Sequence, residues 1–162
     1  MIIGSMFFEK FLQECRFKKA RPYLIGDVLD FGGNEGELKN LVKGKYTAVN
    51  YDHSVLENIQ ADTIAALAVM EHLNIEEVFE VFQKFRKILR KNGRVILTTP
   101  SRMAKPVLES LAFLKIIDGK NIKEHKYYWN RKEIYELAKN TGFIVKKYKK
   151  FQFGFNQFAI FE

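Results

Sequence analysis

At 162 residues, with 47% hydrophobic and 28% charged side chains, the chain is long enough to bury a core and too apolar to be disordered. No apolar run reaches bilayer-spanning length, no basic leader precedes the first apolar residues, and a single cysteine excludes an intramolecular disulfide, so a cytoplasmic, non-membrane protein is expected. The net charge of +8 favours an anionic partner such as nucleic acid, yet the basic clusters at 16–21, 84–94 and 146–150 match no RNA-recognition motif. Lysines on helix faces and an edge strand account for them more simply.

Phe7, Phe8, Phe11, Leu12 and Cys15 form an apolar stripe that predicts an opening helix ending before Pro22, with Cys15 a buried structural thiol. Residues 26–30 read as a first strand. A glycine-dense turn follows, and Leu38, Leu41 and Val42 have the spacing of a helix, stopped at 43–45. Residues 46–50 read as a second strand by their β-branched and aromatic content, and 63–68 as a further buried strand. The clearest helix carries Ile75, Val78, Phe79, Phe82, Phe85 and Leu89 on one face and Glu76, Glu77, Lys84, Lys87 and Arg90 on the other. Asn74 and Glu77 form its capping box, and Asn92-Gly93 its stop.

Residues 94–99 are apolar on both faces, as in a central parallel strand, and Pro100 closes them. A helix at 107–116, an irregular stretch at 118–128 and a last helix from the Asn130 cap to Gly142 come next. Residues 143–149 and 153–161 then form an antiparallel end to the sheet. Strands alternating with helices predict an α/β sandwich with a mostly parallel sheet of about six strands. Residues 1–162 read as one domain, with 1–22 a helical extension. About a dozen residues separate Asn50 from Thr63, too few for a helix, a strand and another helix. A third strand there is expected to be absent or reduced to a loop, leaving strand 46–50 an edge that the N-terminal helix or a second subunit must cover.

The chemistry concentrates at Asp30-Phe31-Gly32-Gly33-Asn34-Glu35-Gly36. A strand running into glycines lets the backbone approach a nucleotide-like ligand. The carboxylate of Asp30 suits a ligand carrying an amine and argues against pyrophosphate. Together with Met70-Glu71-His72-Leu73, the stretch from Leu89 through Asn92-Gly93 to Pro100, and that from Asn130 to Thr141-Gly142-Phe143, this turn resembles class I S-adenosylmethionine-dependent methyltransferases of the small type 11/12-like kind. The resemblance implies a Rossmann-like three-layer fold with an antiparallel C-terminal strand. It implies S-adenosylmethionine as cofactor, S-adenosylhomocysteine as product, and methyl transfer to a small-molecule acceptor.

The matching cofactor positions are Asp30, Phe31, Gly32, Gly33, Asn34 and Gly36 on the turn, then Asn50, Tyr51 and Asp52, then Val69 and Met70. Two positions depart from the pattern. Asn34 replaces a glycine, though Asn tolerates the left-handed conformation. Asn50 stands where the family carries an acidic ribose ligand, so Asp52 is favoured for that role. His72 and His125 are candidate general bases; alternatively His72 caps the next helix and His125 pins a loop. Tyr127, Tyr128 and Trp129 wall a substrate pocket or belong to the core. No metal is expected. The rival readings are a non-catalytic binding or dimerisation module and a nicotinamide oxidoreductase, the latter disfavoured because Gly-x-Gly-x-x-Gly is missing.

Overall fold

A computed structural model of the chain describes residues 3–33, 36–50, 56, 59–114 and 124–162. The elements in order are α1 (Ile3–Ala20), β1 (Val28–Phe31), β2 (Tyr46–Val49), β3 (Ala61–Leu67), α2 (Ile75–Ile88), β4 (Leu89–Pro100), α3 (Ala104–Phe113), α4 (Arg131–Asn140), β5 (Val145–Phe151) and β6 (Asn156–Phe161). All six strands join one sheet in the order β2-β1-β3-β4-β6-β5. β1 lies parallel between β2 and β3, and β3 is parallel to β4. β6 is antiparallel to both its neighbours, β4 and β5. One strand therefore runs against the other five, as the sequence predicts.

Side-chain alternation sorts the sheet into two faces. Leu29, Phe31, Ile64, Ala66, Val95, Leu97, Ala159 and Phe161 pack with Val78, Phe82 and Phe85 of α2 and Ile134 and Leu137 of α4. Val28, Ala65, Ile96, Phe158 and Ile160 point the other way, toward Phe17 and Ala20 of α1 and Tyr23 and Leu24 behind it. Three layers result. Phe82 is the hub of the first face, with ring centroids 5.4 Å from Phe85, 6.0 Å from Phe143 and 5.1 Å from Phe161. Such a ring contributes about 1.5–3 kcal/mol by burial alone.

Both expected capping boxes form, Asn74 with Glu77 and Asn130 with Glu133. Several expectations need correction. After the glycine turn the chain makes only a 3-10 turn, Glu37–Leu41, before Val42 turns extended. The short link to β2 has no room for a longer helix, and Phe17 of α1 packs with Leu38 in its place. α2 stops at Ile88, so Leu89 opens β4 opposite Ala61, and the register slips before Arg94 meets Thr63. Asn92, at φ 65°, thus marks an irregularity inside a strand rather than a helix stop. α3 begins at Ala104 and ends at Phe113, shifted toward the N-terminus from 107–116. Ile75 is exposed, while Val81 and Ile88 are buried instead. Cys15 is half-buried, not a core thiol, because α1 lies on the surface of the sheet.

Among the described residues no third strand flanks β2, which pairs with β1 alone. At the opposite edge, β5 carries Lys146, Lys147, Lys149 and Lys150. Edge lysines discourage pairing with another sheet, so this basic cluster guards an edge. No described helix is long and apolar enough to cross a membrane.

Candidate functional site

The site gathers at the carboxyl ends of β1, β3 and β4, where open parallel sheets receive ligands. β1 ends in Asp30 and Phe31, which alternate to opposite faces. Phe31 turns into the core, its ring 5.2 Å from Phe85, so its side chain does not reach the cleft and only its backbone adjoins the turn. Asp30 points the other way, buried at 6% exposure, and accepts a hydrogen bond from the Tyr46 hydroxyl at 2.7 Å. Burial raises its carboxyl above the usual range, the Tyr46 bond opposes this, and nearby Glu37 raises it further. The Tyr46 phenol is raised in turn, first by burial and then by that carboxylate. Tyr46 carries no sequence signal for this role, since the contact comes from β2 lying beside β1.

Gly32 has φ +86°, and a Cβ there would lie 2.4 Å from Val69 Cγ2. Its N–H donates to the Val49 carbonyl at 2.7 Å, which ties the turn to the end of β2. A Cβ on Gly33 would lie 2.1 Å from Asp30 Oδ2. Gly36 is left-handed at φ 68°. Asp30, Gly32, Gly33 and Gly36 line a cleft of about 310 Å³ with Glu37, Leu38 and Leu67, and α1 supplies Gln13 and Phe17. Gln13 also donates to the Glu37 carboxylate, so α1 closes over the turn. That wall was not legible in the sequence, because nothing in the helical stripe points to the glycines.

Asn50 is exposed, one residue past the end of β2. Asn34, Tyr51 and Asp52 lie outside the described residues. Val69 and Met70 are both buried, Val69 against Gly32 and Met70 within the core. Before them Ala68 is held left-handed at φ 58°, a costly conformation for a residue with a Cβ, with its N–H on the Thr98 carbonyl at 2.9 Å.

His72 and His125 are brought together, with ring centroids 4.9 Å apart and edge to face. His72 does not cap α2, whose cap is Asn74. His125 Nδ1 lies 3.0 Å from the Tyr128 hydroxyl. Burial lowers the His72 pKa, and burial, the neighbouring His72 and Arg16 push His125 down to about 4. Glu71 is a further member that sequence reasoning passed over, although it stands beside His72 in the same motif. It is buried and pushed up to about 7, chiefly by burial, against the opposing pull of its own backbone, Arg16 and Thr99. Of the three aromatics, Trp129 is core, Tyr127 donates to Glu133 at 2.7 Å, and only Tyr128 faces His125.

Comparison with known proteins identifies the family and the fold. A ubiquinone biosynthesis O-methyltransferase of Rickettsia canadensis (strain McKiel) is 28% identical over 108 residues, covering 62% of this chain and 45% of that protein. The chain thus spans less than half the length of this curated relative. The crystal structure of an S-adenosylmethionine-dependent methyltransferase from Archaeoglobus fulgidus superposes with a TM-score of 0.71 at 16% identity, covering 96% of this chain and 97% of that one. A Bacteroides fragilis methyltransferase solved with S-adenosyl-L-homocysteine gives 0.64 at 13% identity, covering 90% and 76%. Both share the fold. The sequence model of the methyltransferase domain family matches residues 7–147, and the chain belongs to that family.

Proposed function

We propose that this chain transfers a methyl group from S-adenosylmethionine to a small-molecule acceptor. The cradle carries the reading: two glycines whose Cβ atoms would collide with Val69 and Asp30, beside a buried carboxylate bonded to a hydroxyl. S-adenosylmethionine supplies an electrophilic methyl group on a sulfonium. The Asp30 carboxylate balances the ammonium of the methionine end, and the glycine turn lets the backbone approach. Phe17, Leu38 and Leu67 give the cleft its apolar side. Methyl transfer mainly requires an aligned acceptor, and the lips of β3 and β4 hold it next to the cradle. Of the two imidazoles at the lip of β3, His125 is a poor base, since burial and its charged neighbours push its pKa down to about 4. An oxygen acceptor is supported by the name of the Rickettsia relative, an O-methyltransferase.

The reading extends to a cytoplasmic homodimer; its support is the single cysteine and the unguarded β2 edge. Titration calorimetry with S-adenosylhomocysteine tests the central claim. Saturation at a hundred times Kd should add about 2.7 kcal/mol of stability, a rise in Tm of roughly 5–10 °C. Asp30→Ala should abolish the rise and leave the ligand-free Tm close to native. A native chain that binds no S-adenosylhomocysteine would be a non-catalytic module instead, which the reduced helix after the glycine turn would then explain.

A further inference from the structure

Past Val69 the chain makes one 3-10 turn, Met70–His72, which sets Glu71 and His72 side by side at the lip of β3. A distant segment is bonded to this turn through the backbone. Lys126 N–H donates to the Glu71 carbonyl at 2.7 Å and Tyr127 N–H to the same oxygen at 3.3 Å. These bonds deliver His125 to His72. One ligating atom from each of Glu71, His72 and His125 lies within 4.8 Å of the others. Donors 2.0–2.2 Å from a shared cation stand roughly 3 to 3.5 Å apart, so side-chain shifts of about an ångström close the set.

Each donor is already oriented by a neighbour, as the ligands of metal sites are. Thr99 Oγ1 donates to Glu71 Oε2 at 3.2 Å. His125 Nδ1 engages the Tyr128 hydroxyl at 3.0 Å, and His72 bonds the backbone at Glu124. An imidazole anchored through one nitrogen ligates through the other. Among the described residues Glu71 makes no ion pair within 4.0 Å, although it is only 2% exposed. Arg16 acts on it from farther away. A buried carboxylate without a contacting cation is costly, and a cation seated between it and two imidazoles removes the cost.

We propose that Glu71, His72 and His125 bind one divalent first-row transition-metal cation at the lip of β3. Two nitrogens and a carboxylate oxygen suit the series from Mn²⁺ to Zn²⁺ better than Mg²⁺ or Ca²⁺, which prefer oxygen alone. The cation site adjoins the cradle, since Val69, next before the turn, touches Gly32. Its open positions accept oxygens of the acceptor, which makes a molecule with two adjacent oxygens, one a hydroxyl, the substrate class. The cation lowers the pKa of that hydroxyl, and its proton passes to solvent. The oxygen–carbon bond then forms as the carbon–sulfur bond of the sulfonium breaks, leaving a neutral thioether. The imidazoles serve here as ligands rather than proton acceptors. This acceptor assignment rests on the methyltransferase reading; the metal site does not.

The test is a titration of the full chain with Co²⁺ and no cofactor, read by visible absorption and calorimetric stoichiometry. One equivalent should bind. Glu71→Gln, His72→Ala and His125→Ala should each weaken binding more than about tenfold, while His53→Ala, at the remaining histidine of the 3 in the chain, should leave it unchanged. S-adenosylhomocysteine binding, measured on the same samples, should survive His125→Ala. Loss of cofactor binding in the native chain counts against the methyltransferase reading, and loss of Co²⁺ binding against the metal site alone. The proposal is overturned if the native chain takes up no Co²⁺ at submillimolar concentration. Binding that persists in folded His125→Ala, or that follows His53, overturns it equally. Where circular dichroism shows His125→Ala unfolded, His125→Gln supplies the same reading.

Discussion

Val69 and Gly32 share one space: the Val69 Cγ2 methyl lies 2.4 Å from the point a Cβ on Gly32 would occupy. The close approach holds the lip of β3 against the lip of β1 and so ties the glycine turn to the segment that carries Glu71 and His72. Gly32→Ala combines that overlap with φ +86°, a conformation that costs about 1–3 kcal/mol for a residue with a Cβ. It should lower stability in thermal melts. Gly33→Ala should behave differently, because its Cβ meets only the end of the Asp30 side chain. Displacing that carboxylate breaks the Tyr46 bond and should weaken S-adenosylhomocysteine binding while leaving Tm nearly native. Equal effects of the two substitutions on Tm would contradict this division.

Asp30 should make stability depend on pH in a definite direction. Its carboxyl titrates above the usual value when folded because burial disfavours the charged form. The contribution is therefore full below the unfolded pKa, near 3.9, and is lost as pH rises through the elevated folded value. At pH 7 the ligand-free Asp30→Asn variant should be more stable than the native chain, with the advantage vanishing in acid. It should also fail to bind S-adenosylhomocysteine. Urea denaturation across the pH range measures the first effect, and a variant less stable at neutral pH would show that the Tyr46 bond outweighs the burial.

What the sequence carried and what it did not divide along physical lines. The capping boxes at Asn74 and Asn130 and the two-sided apolar strands were readable because they depend on near neighbours in the chain. The glycine turn was readable for the same reason, as Gly32 and Gly33 act through their own missing Cβ atoms. The helix expected at 37–42 failed because Leu38 and Leu41 are also what a short 3-10 turn buries, and α1 had taken the face a longer helix would cover. Tyr46, Gln13 and Phe17 join the site through strand pairing and helix docking, which no local pattern encodes. The meeting of His72 with His125 is of that kind too, made by backbone bonds across more than fifty intervening residues.

Phe82 should be among the most costly positions to truncate. Its ring is fully buried and contacts three other phenylalanines drawn from α2, β6 and the turn before β5. Phe82→Ala should destabilise the fold by about 3–5 kcal/mol. A loss below about 1 kcal/mol in chemical denaturation would mean the three neighbours close the gap.

Asp52 should hold the ribose in preference to Asn50. Asn50 is exposed at the lip of β2, and an amide oxygen accepts more weakly than a carboxylate serving two hydroxyls. Asp52→Ala should weaken cofactor binding by about 1.5–3 kcal/mol, as for hydrogen bonds to a charged group. Calorimetry on both alanine variants decides the matter, and a larger loss with Asn50→Ala would reverse the assignment.

The two edges of the sheet are protected unequally, and this should set the oligomeric state. β5 carries four lysines in the seven residues Val145–Phe151, which repel a second strand. β2, Tyr46–Val49, carries no charge, and Ala48 on it is exposed. An uncharged parallel edge invites pairing with a copy of itself, and closed two-fold dimers are the commonest outcome. Light scattering should therefore give twice the chain mass of 19.0 kDa at high concentration and the monomer on dilution. Ala48→Lys should shift the equilibrium to monomer, since like charges then face each other across the two-fold axis, while β5 and the cradle stay intact and S-adenosylhomocysteine still binds. A native chain that stays monomeric at every concentration would show that residues of its own chain cover the β2 edge.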